Sequence, residues 1–405
     1  MREMKDSGVE WIGEIPQEWS LRRLRFLCSI TTGNMDTQDN DPEGQYPFYV
    51  RSPIVEHSNN YTYDNEAVLM AGDGVGAGKV FHYVNGKYGC HQRVYSMSDF
   101  NNVVGKYLYY YLQENFYKKI EESNAKSTVD SVRLPMLKDF PVVFPDVYQQ
   151  KEIVSYLNSK CANIDEVIKK QQAIIEKLNE YKLSIISEAV IRGLDKKIEL
   201  KDSGNKFLGQ VPIHWSVVKF GRIATVKSNL VSPMEYQDYP QISPDNIDKG
   251  SGKLLGYNTV EESGVISWNH LFYTGQIIYS KIRPLLDKVI IAPFDGLCSA
   301  DMYPIETDCN EFFIVFVILS AYFHAQVALV TDTRVKMPKI NQNELSSVVV
   351  AIPPVNEQNQ IADYLKHKCR RADKIIEQRG KIIDTLQNYK KSIVYEVVTG
   401  KREVL

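Results

Sequence analysis

A helix-forming stretch occurs twice in this chain with the same apolar spacing, and that duplication restricts the fold more than any other feature. From Gln149 to about Arg192, Ile164, Val167, Gln171, Ile174, Leu178, Tyr181 and Ile185 follow one another in alternating steps of three and four. Apart from polar Gln171, this is the seam of a coiled coil. A shift of 208 residues lands on Ala372, Ile375, Arg379, Ile382, Leu386, Tyr389 and Ile393, with Arg379 repeating the polar interruption. Identities extend past the seam, among them Pro145/Pro353, Gln150/Gln358, Ile153/Ile361, Leu157/Leu365, Cys161/Cys369 and Asp165/Asp373. Two unrelated amphipathic helices would match in character but not in identity.

The opening of each half repeats as well. Lys5-Asp6-Ser7-Gly8, Gly13-Glu14-Ile15-Pro16 and Trp19-Ser20 return as Lys201-Asp202-Ser203-Gly204, Gly209-Gln210-Val211-Pro212 and Trp215-Ser216. Proline fixes such a turn, glycine relieves it and the aromatic anchors it, so the phrase is structural. Between phrase and helix, each half alternates strand-like runs with turn residues and one helix. In the first half the strands fall near Tyr46–Val50, Ala67–Met70, Lys79–Tyr83 and Arg93–Met97, followed by a helix over Val103–Glu121. Tyr46-Pro47 matches Tyr239-Pro240, Lys79-Val80 matches Lys288-Val289, Cys90 matches Cys298, Tyr95 matches Tyr303, and Arg133-Leu134-Pro135 matches Lys336-Met337-Pro338. On that alignment the stretch from Pro135 to Pro145 is five residues shorter than that from Pro338 to Pro353.

The expected fold class is therefore α+β: two homologous mixed α/β domains, related by an internal pseudo-two-fold repeat and joined by two long helices in an antiparallel coiled coil. The domain bounds read 1–147, helix 148–195, 196–355 and helix 356–405. Because the repeat closes like a ring, the domains are expected at opposite ends, with adjacent termini and a tolerated circular permutation near Leu200. About 40 helical residues at ~1.5 Å each give a spacer of up to ~60 Å. That is enough to separate two reading heads by one duplex turn of roughly 34–36 Å.

Composition excludes several classes. The 405 residues suffice for two domains plus the helices, and 43% hydrophobic with 24% charged residues is the balance of a soluble protein. Six cysteines without a CxxC or a His-paired spacing point to a reducing cytosol and to no metal site. Met1–Glu10 lacks the build of a signal peptide. The apolar run Phe312 to Val330 carries His324 and Gln326 and aligns with Val103–Glu121, so it reads as one buried helix. With a net charge of −2, nucleic-acid contacts must come from local basic patches or from a partner.

No catalytic constellation emerges. Ala71–Lys79 imitates a phosphate loop, but Asp73 stands where Walker A needs glycine and Val80 where it needs Ser or Thr. It reads instead as a strand-to-strand loop whose backbone can approach a ligand closely. The amino-methyltransferase, helicase and nuclease motifs are missing. The halves differ most in this loop, which faces Ser280–Asp287, and at His91-Gln92-Arg93, which faces Ser299-Ala300-Asp301. One scaffold carrying two sets of loops suggests two readers of different targets. Candidate DNA contacts are Arg51, Lys79, His91, Gln92 and Arg93 in the first domain, and Lys281, Arg283, Lys288, Arg334, Lys336 and Lys339 in the second. Such side chains can hold guanine, adenine or phosphate.

With these features the chain resembles the specificity subunits of type I restriction–modification systems, over nearly all of its length. The most specific parts are the opening phrases at 5–19 and 201–215 and the helix starts at 145–153 and 353–361. The resemblance implies a non-catalytic DNA reader with two target-recognition domains, each reading half of a bipartite target in double-stranded DNA, spaced by the coiled coil. It further implies two methyltransferase subunits that modify adenine at N6, and motor-nuclease restriction subunits. S-adenosylmethionine, ATP and Mg would belong to those partners, with none bound by this chain, in the cytoplasm and away from membranes. Two alternatives stay open at this point: a two-lobed adaptor that binds proteins, and a DNA methyltransferase or nuclease with an unrecognised site.

Overall fold

In the computed structural model, which describes residues 2–124, 131–331 and 338–404, each opening phrase folds as a tight hairpin. Met4–Asp6 pairs with Glu14–Pro16, and Leu200–Asp202 with Gln210–Pro212. Asp6 and Asp202 each accept from the backbone N–H two residues on, at 2.9 and 3.0 Å, which closes an Asx turn. Lys5 and Lys201 donate to the carbonyls of Gln17 and Trp215 at 2.6 and 2.7 Å. The anchoring Trp19 and Trp215 are both buried.

The first domain carries a six-stranded sheet in the order Ser29–Thr32, Val94–Ser98, Tyr63–Ala71, Phe81–Cys90, Tyr46–Tyr49, Glu56–Ser58. Only Tyr46–Tyr49 and Phe81–Cys90 pair in parallel. The second domain has the same connections with its two longest strands interrupted. Asn269–Phe272 and Ile277–Ser280 replace the first of them, and Val289–Ile291 and Gly296–Cys298 the second. With an added strand, Leu230–Val231, beside Asn269–Phe272, one sheet becomes two, of four and five strands, and the single parallel pairing, Pro240–Ile242 with Gly296–Cys298, is retained.

Two long helices follow the domains, Val147–Arg192 and Val355–Val398. The chain divides into two compact units that cut across both: Met1–Gln171 with Gly380–Leu405, and Gln172–Arg379. In the first unit, Ile153 and Leu157 from the start of the first long helix share a core with Trp19, Tyr107, Phe116 and Phe140, and with Ile393, Val397 and Val398 from the end of the last one. The Tyr107 hydroxyl lies 2.9 Å from the carbonyls of both Val143 and Val398, while Asp165, further along, meets Lys390 at 2.7 Å. The two segments therefore run antiparallel. The second unit reverses the roles: Ile186 and Val190 pack with Trp215, Phe220, Ile361 and Leu365, and Lys182 meets Asp373 at 2.5 Å. The repeat offset converts Asp165–Lys390 into Asp373–Lys182, so the two units use one ion pair with its partners exchanged between helices. Each fully buried large apolar side chain of these cores contributes about 1.5–3 kcal/mol.

Along the seam, Ile164, Ala372 and Ile393 are buried. Val167, Ile174, Tyr181, Ile382 and Tyr389 keep 37–47% of their surface exposed. Gln171, Leu178, Ile185, Ile375, Arg379 and Leu386 are half-buried.

Two sequence expectations are corrected. The run from Phe312 to Val330 is not one helix but two, Glu311–Ile318 and Ala321–Thr331, bent by 57°. Ser320 makes the break, its hydroxyl donating to the Val317 carbonyl at 2.6 Å and facing the Phe323 N–H at 3.4 Å. Among the described residues no single helix is long and apolar enough to cross a membrane. The second correction concerns alignment. Tyr95 and Tyr303 hold Val132 and Ile340 respectively, so Arg133 corresponds to Asn341 and not to Lys336. Each of these residues stands at the N-cap position of a short helix, Leu134–Lys138 or Gln342–Ser347, and the five-residue discrepancy disappears.

Candidate nucleic-acid interface

Three segments meet at one place in each domain, tied by the same hydrogen bonds. In the first domain Gly72 N–H donates to the Arg93 carbonyl (2.8 Å), Val132 N–H to that of Gly72 (2.8 Å), and the Tyr95 hydroxyl to that of Val132 (3.0 Å). In the second, Lys281 N–H donates to Asp301 (3.0 Å), Ile340 N–H to Lys281 (2.9 Å), and the Tyr303 hydroxyl to Ile340 (3.3 Å). Backbone bonds fix the frame and leave the side chains free to differ. Two glycines of residues 71–78 are required by the packing: a Cβ on Gly76 would lie 2.5 Å from the Arg51 carbonyl oxygen, and Gly78 takes φ 61° against Ile120 and Phe116.

The frame gathers four of the five first-domain candidates around two carboxylates. Arg51 donates from Nη1 to Asp73 Oδ1 at 3.0 Å, and Arg93 Nε lies 3.7 Å from Asp73 Oδ2, an ion pair too long for a hydrogen bond. Gln92 donates from Nε2 to Asp36 Oδ2 at 2.9 Å. His91 is buried; its Nδ1 accepts from the Arg93 N–H at 3.0 Å, which leaves the proton on Nε2, 3.4 Å from Asp36 Oδ1. His91 therefore holds the turn in place rather than presenting itself to a partner. The Thr37 N–H, and after it His91, keep the Asp36 carboxyl below its ordinary range. Thr32, Gln92, Arg93, Tyr95 and Asp73 line a cavity of about 290 Å³ here. Lys79 stands over the Tyr117 ring at 5.2 Å.

The second-domain candidates are distributed differently. Lys339 pairs with Asp301 at 3.0 Å, and Lys281 lies over the Tyr303 ring at 5.4 Å. Arg283 adopts φ 44° and Asp287 φ 48°, left-handed conformations that cost energy for any residue with a Cβ, so this loop is held by its surroundings. Lys288 is turned inward, donating to the Pro244 carbonyl at 2.7 Å, with only 14% of its side chain exposed. Arg334 and Lys336 lie outside the described residues.

The family described as the Type I restriction modification DNA specificity domain matches residues 16–178 and 212–387, most of both halves. The chain belongs to this family. The Type I restriction enzyme EcoDI specificity subunit of Escherichia coli is 33% identical over 404 residues, covering 96% of this chain and 90% of that one. The Type I restriction enzyme MjaVIII specificity subunit of Methanocaldococcus jannaschii is 24% identical, covering 96% and 94%. A chain solved in work on complex assembly and conformational transition of the type I R-M system shares the fold, with a TM-score of 0.68 at 12% identity over 96% of this chain and 99% of that one.

Within this specificity-domain family member, sequence reasoning overlooked the acidic residues. Asp36, Asp73 and Asp301 organise the cationic and amide side chains, but a search for DNA contacts weighs cations and passes over carboxylates. It also overlooked His270, which is buried with Nδ1 unpartnered among the described residues; burial, and secondarily Lys281, hold its imidazole below the usual histidine range.

Proposed function

We propose that this chain is the non-catalytic, sequence-specific DNA-recognition subunit of a type I restriction–modification complex. Each domain reads one half of a bipartite target with the side chains carried on its three converging segments. The observation that carries this reading is the same backbone frame occupied by different residues: Gly72, Gln92 and Arg93 in one domain, Lys281, Ala300 and Asp301 in the other. A scaffold duplicated for its shape and varied at its contact points suits two different half-sites. The helices of 46 and 44 residues set the gap and dock two methyltransferase subunits, with restriction subunits joining the assembly. S-adenosylmethionine, ATP and Mg act in those partners, and the complex works in the cytoplasm. Arg51, Lys79, Gln92 and Arg93, with Lys281, Arg283, Arg334, Lys336 and Lys339, are the proposed contacts; His91 and Lys288 support the loops.

The test is to co-express the chain with its neighbouring methyltransferase and map N6-methyladenine across the host genome, with the methyltransferase alone as control. The expected result is a new motif of two short half-sites around a fixed gap. A continuous motif, or methylation equal to the control, would overturn the reading.

A further inference from the structure

We infer that Asp73 is a positioning residue for base recognition in the first domain, aligning Arg51 and Arg93 as a pair of guanine readers. This rests on the DNA-reading function proposed above. Asp73 is set where it can do so: its backbone bridges to Ser131, and its neighbour Gly72 is tied to both Arg93 and Val132. Its carboxylate is 28% exposed, against 45% for Arg51 and 64% for Arg93, so the acid sits beneath and the guanidiniums reach outward.

Among the described residues, the contacts leave each arginine one complete recognition edge. Arg51 spends Nη1 on Asp73, which frees the side-on pair Nε and Nη2. Arg93 turns Nε toward Asp73, which frees the end-on pair Nη1 and Nη2. Either pair of parallel donors matches O6 and N7 of guanine in the major groove. Arg51, already hydrogen-bonded to Asp73, loses less entropy on binding than a free arginine, the Asp73 charge draws Arg93 to the same carboxylate, and a fixed fork discriminates between bases where a swinging one finds phosphate.

Charge gives the inference a sign that a bystander cannot copy. Asp73→Asn removes a negative charge from a DNA-facing site, so electrostatics alone makes every duplex bind more tightly. Loss of alignment instead lowers discrimination at particular base pairs.

The experiment uses the full complex with its methyltransferase subunits, on duplexes carrying every single base-pair change in both half-sites, at two salt concentrations. With Asp73→Asn, preference at one or two G·C pairs of the first half-site is expected to fall about five-fold or more. The second half-site is expected to be unchanged, non-specific affinity equal or higher, and Asp73→Glu partly restorative. Arg51→Lys and Arg93→Lys, which keep the acid, are expected to weaken the same positions and serve if the Asp73 variants do not fold. Asp139→Asn, which removes the surface partner of Arg23 and Arg25 outside the converging segments, is expected to leave the profile intact. Unaltered discrimination in Asp73→Asn, an even loss over all duplexes, or a first half-site without a G·C pair would each overturn the inference while leaving the DNA-reading function standing. A wild-type complex with no sequence preference would overturn both.

Discussion

Gln150 is fully buried near the start of the first long helix, where its Oε1 accepts from the Val104 N–H at 2.7 Å and its Nε2 donates to the carbonyls of Pro145 and Asn102 at 2.9 and 3.0 Å. Gln358 repeats the device with two bonds, from the Asn310 N–H and to the Pro353 carbonyl, both 2.9 Å. Replacing Gln150 by Leu strands three backbone groups away from water and is expected to cost roughly 2–4 kcal/mol in denaturant unfolding, more than Gln358→Leu; a loss under about 1 kcal/mol would show that the amide only fills space. Glu114 offers a pH test. Burial pushes its carboxyl up to about 7, although Lys391, Lys390 and Lys118 pull the other way. A raised folded-state value means stability that is present below the unfolded carboxyl range and lost as pH rises through 7. Glu114→Gln is therefore expected to stabilise the protein at pH 8 by roughly 1–3 kcal/mol, with no gain below about pH 4.5. Equal melting of the two proteins at pH 8 would refute it. At this scale the sequence announced the cations but not their arrangement: whether Arg93 points outward and His91 inward depends on backbone bonds between segments far apart in the chain.

Helices and sheets were more legible, because periodicity and repetition are local properties. The heptad-like spacing located both long helices, and the matched phrases located two matching hairpins. What the spacing did not reveal was Ser320, one residue whose hydroxyl splits an apolar run into two helices, or the interruption of the two long strands in the second domain. The alignment slip around Arg133 had a similar origin: the resemblance of Arg-Leu-Pro to Lys-Met-Pro outweighed the N-cap positions of Arg133 and Asn341, whose equivalence appears only through Tyr95 and Tyr303. The exchanged ion pairs also differ in a way that spacing cannot show. Asp165 faces Lys390 at an exposed site, whereas Asp373 is held by both Lys182 and Lys253, at 2.5 and 2.7 Å, with 20% of its side chain exposed. Burial raises the Asp373 carboxyl, but the two lysines outweigh it and leave it below the ordinary range. Asp373→Ala is expected to cost about 1–2 kcal/mol and Asp165→Ala at most about 0.5 kcal/mol. Equal costs in unfolding experiments would mean that Lys253 contributes nothing.

For the molecule as a whole, recognition is expected to be modular. Exchanging residues 20–140 for the matching part of another specificity-domain protein is expected to change one half-site in a methylation map and leave the other intact; a change in both would refute the assignment of one domain to one half. The composition of the units also bears on how the protein is made. The second unit is one continuous stretch, Gln172–Arg379, but the first draws on Gly380–Leu405 as well, and its core includes Ile393, Val394, Val397 and Val398. A ribosome moving from the N-terminus thus completes the second unit before the first, although it makes the first domain earlier. Until the last turns of the final helix emerge, Tyr107 lacks its contact with Val398, and Trp11 the hydroxyl of Tyr395 on its carbonyl. Chains truncated after residue 380 and released from the ribosome would then resist protease over the second unit and be cut in the first, making the half synthesised first the last to mature.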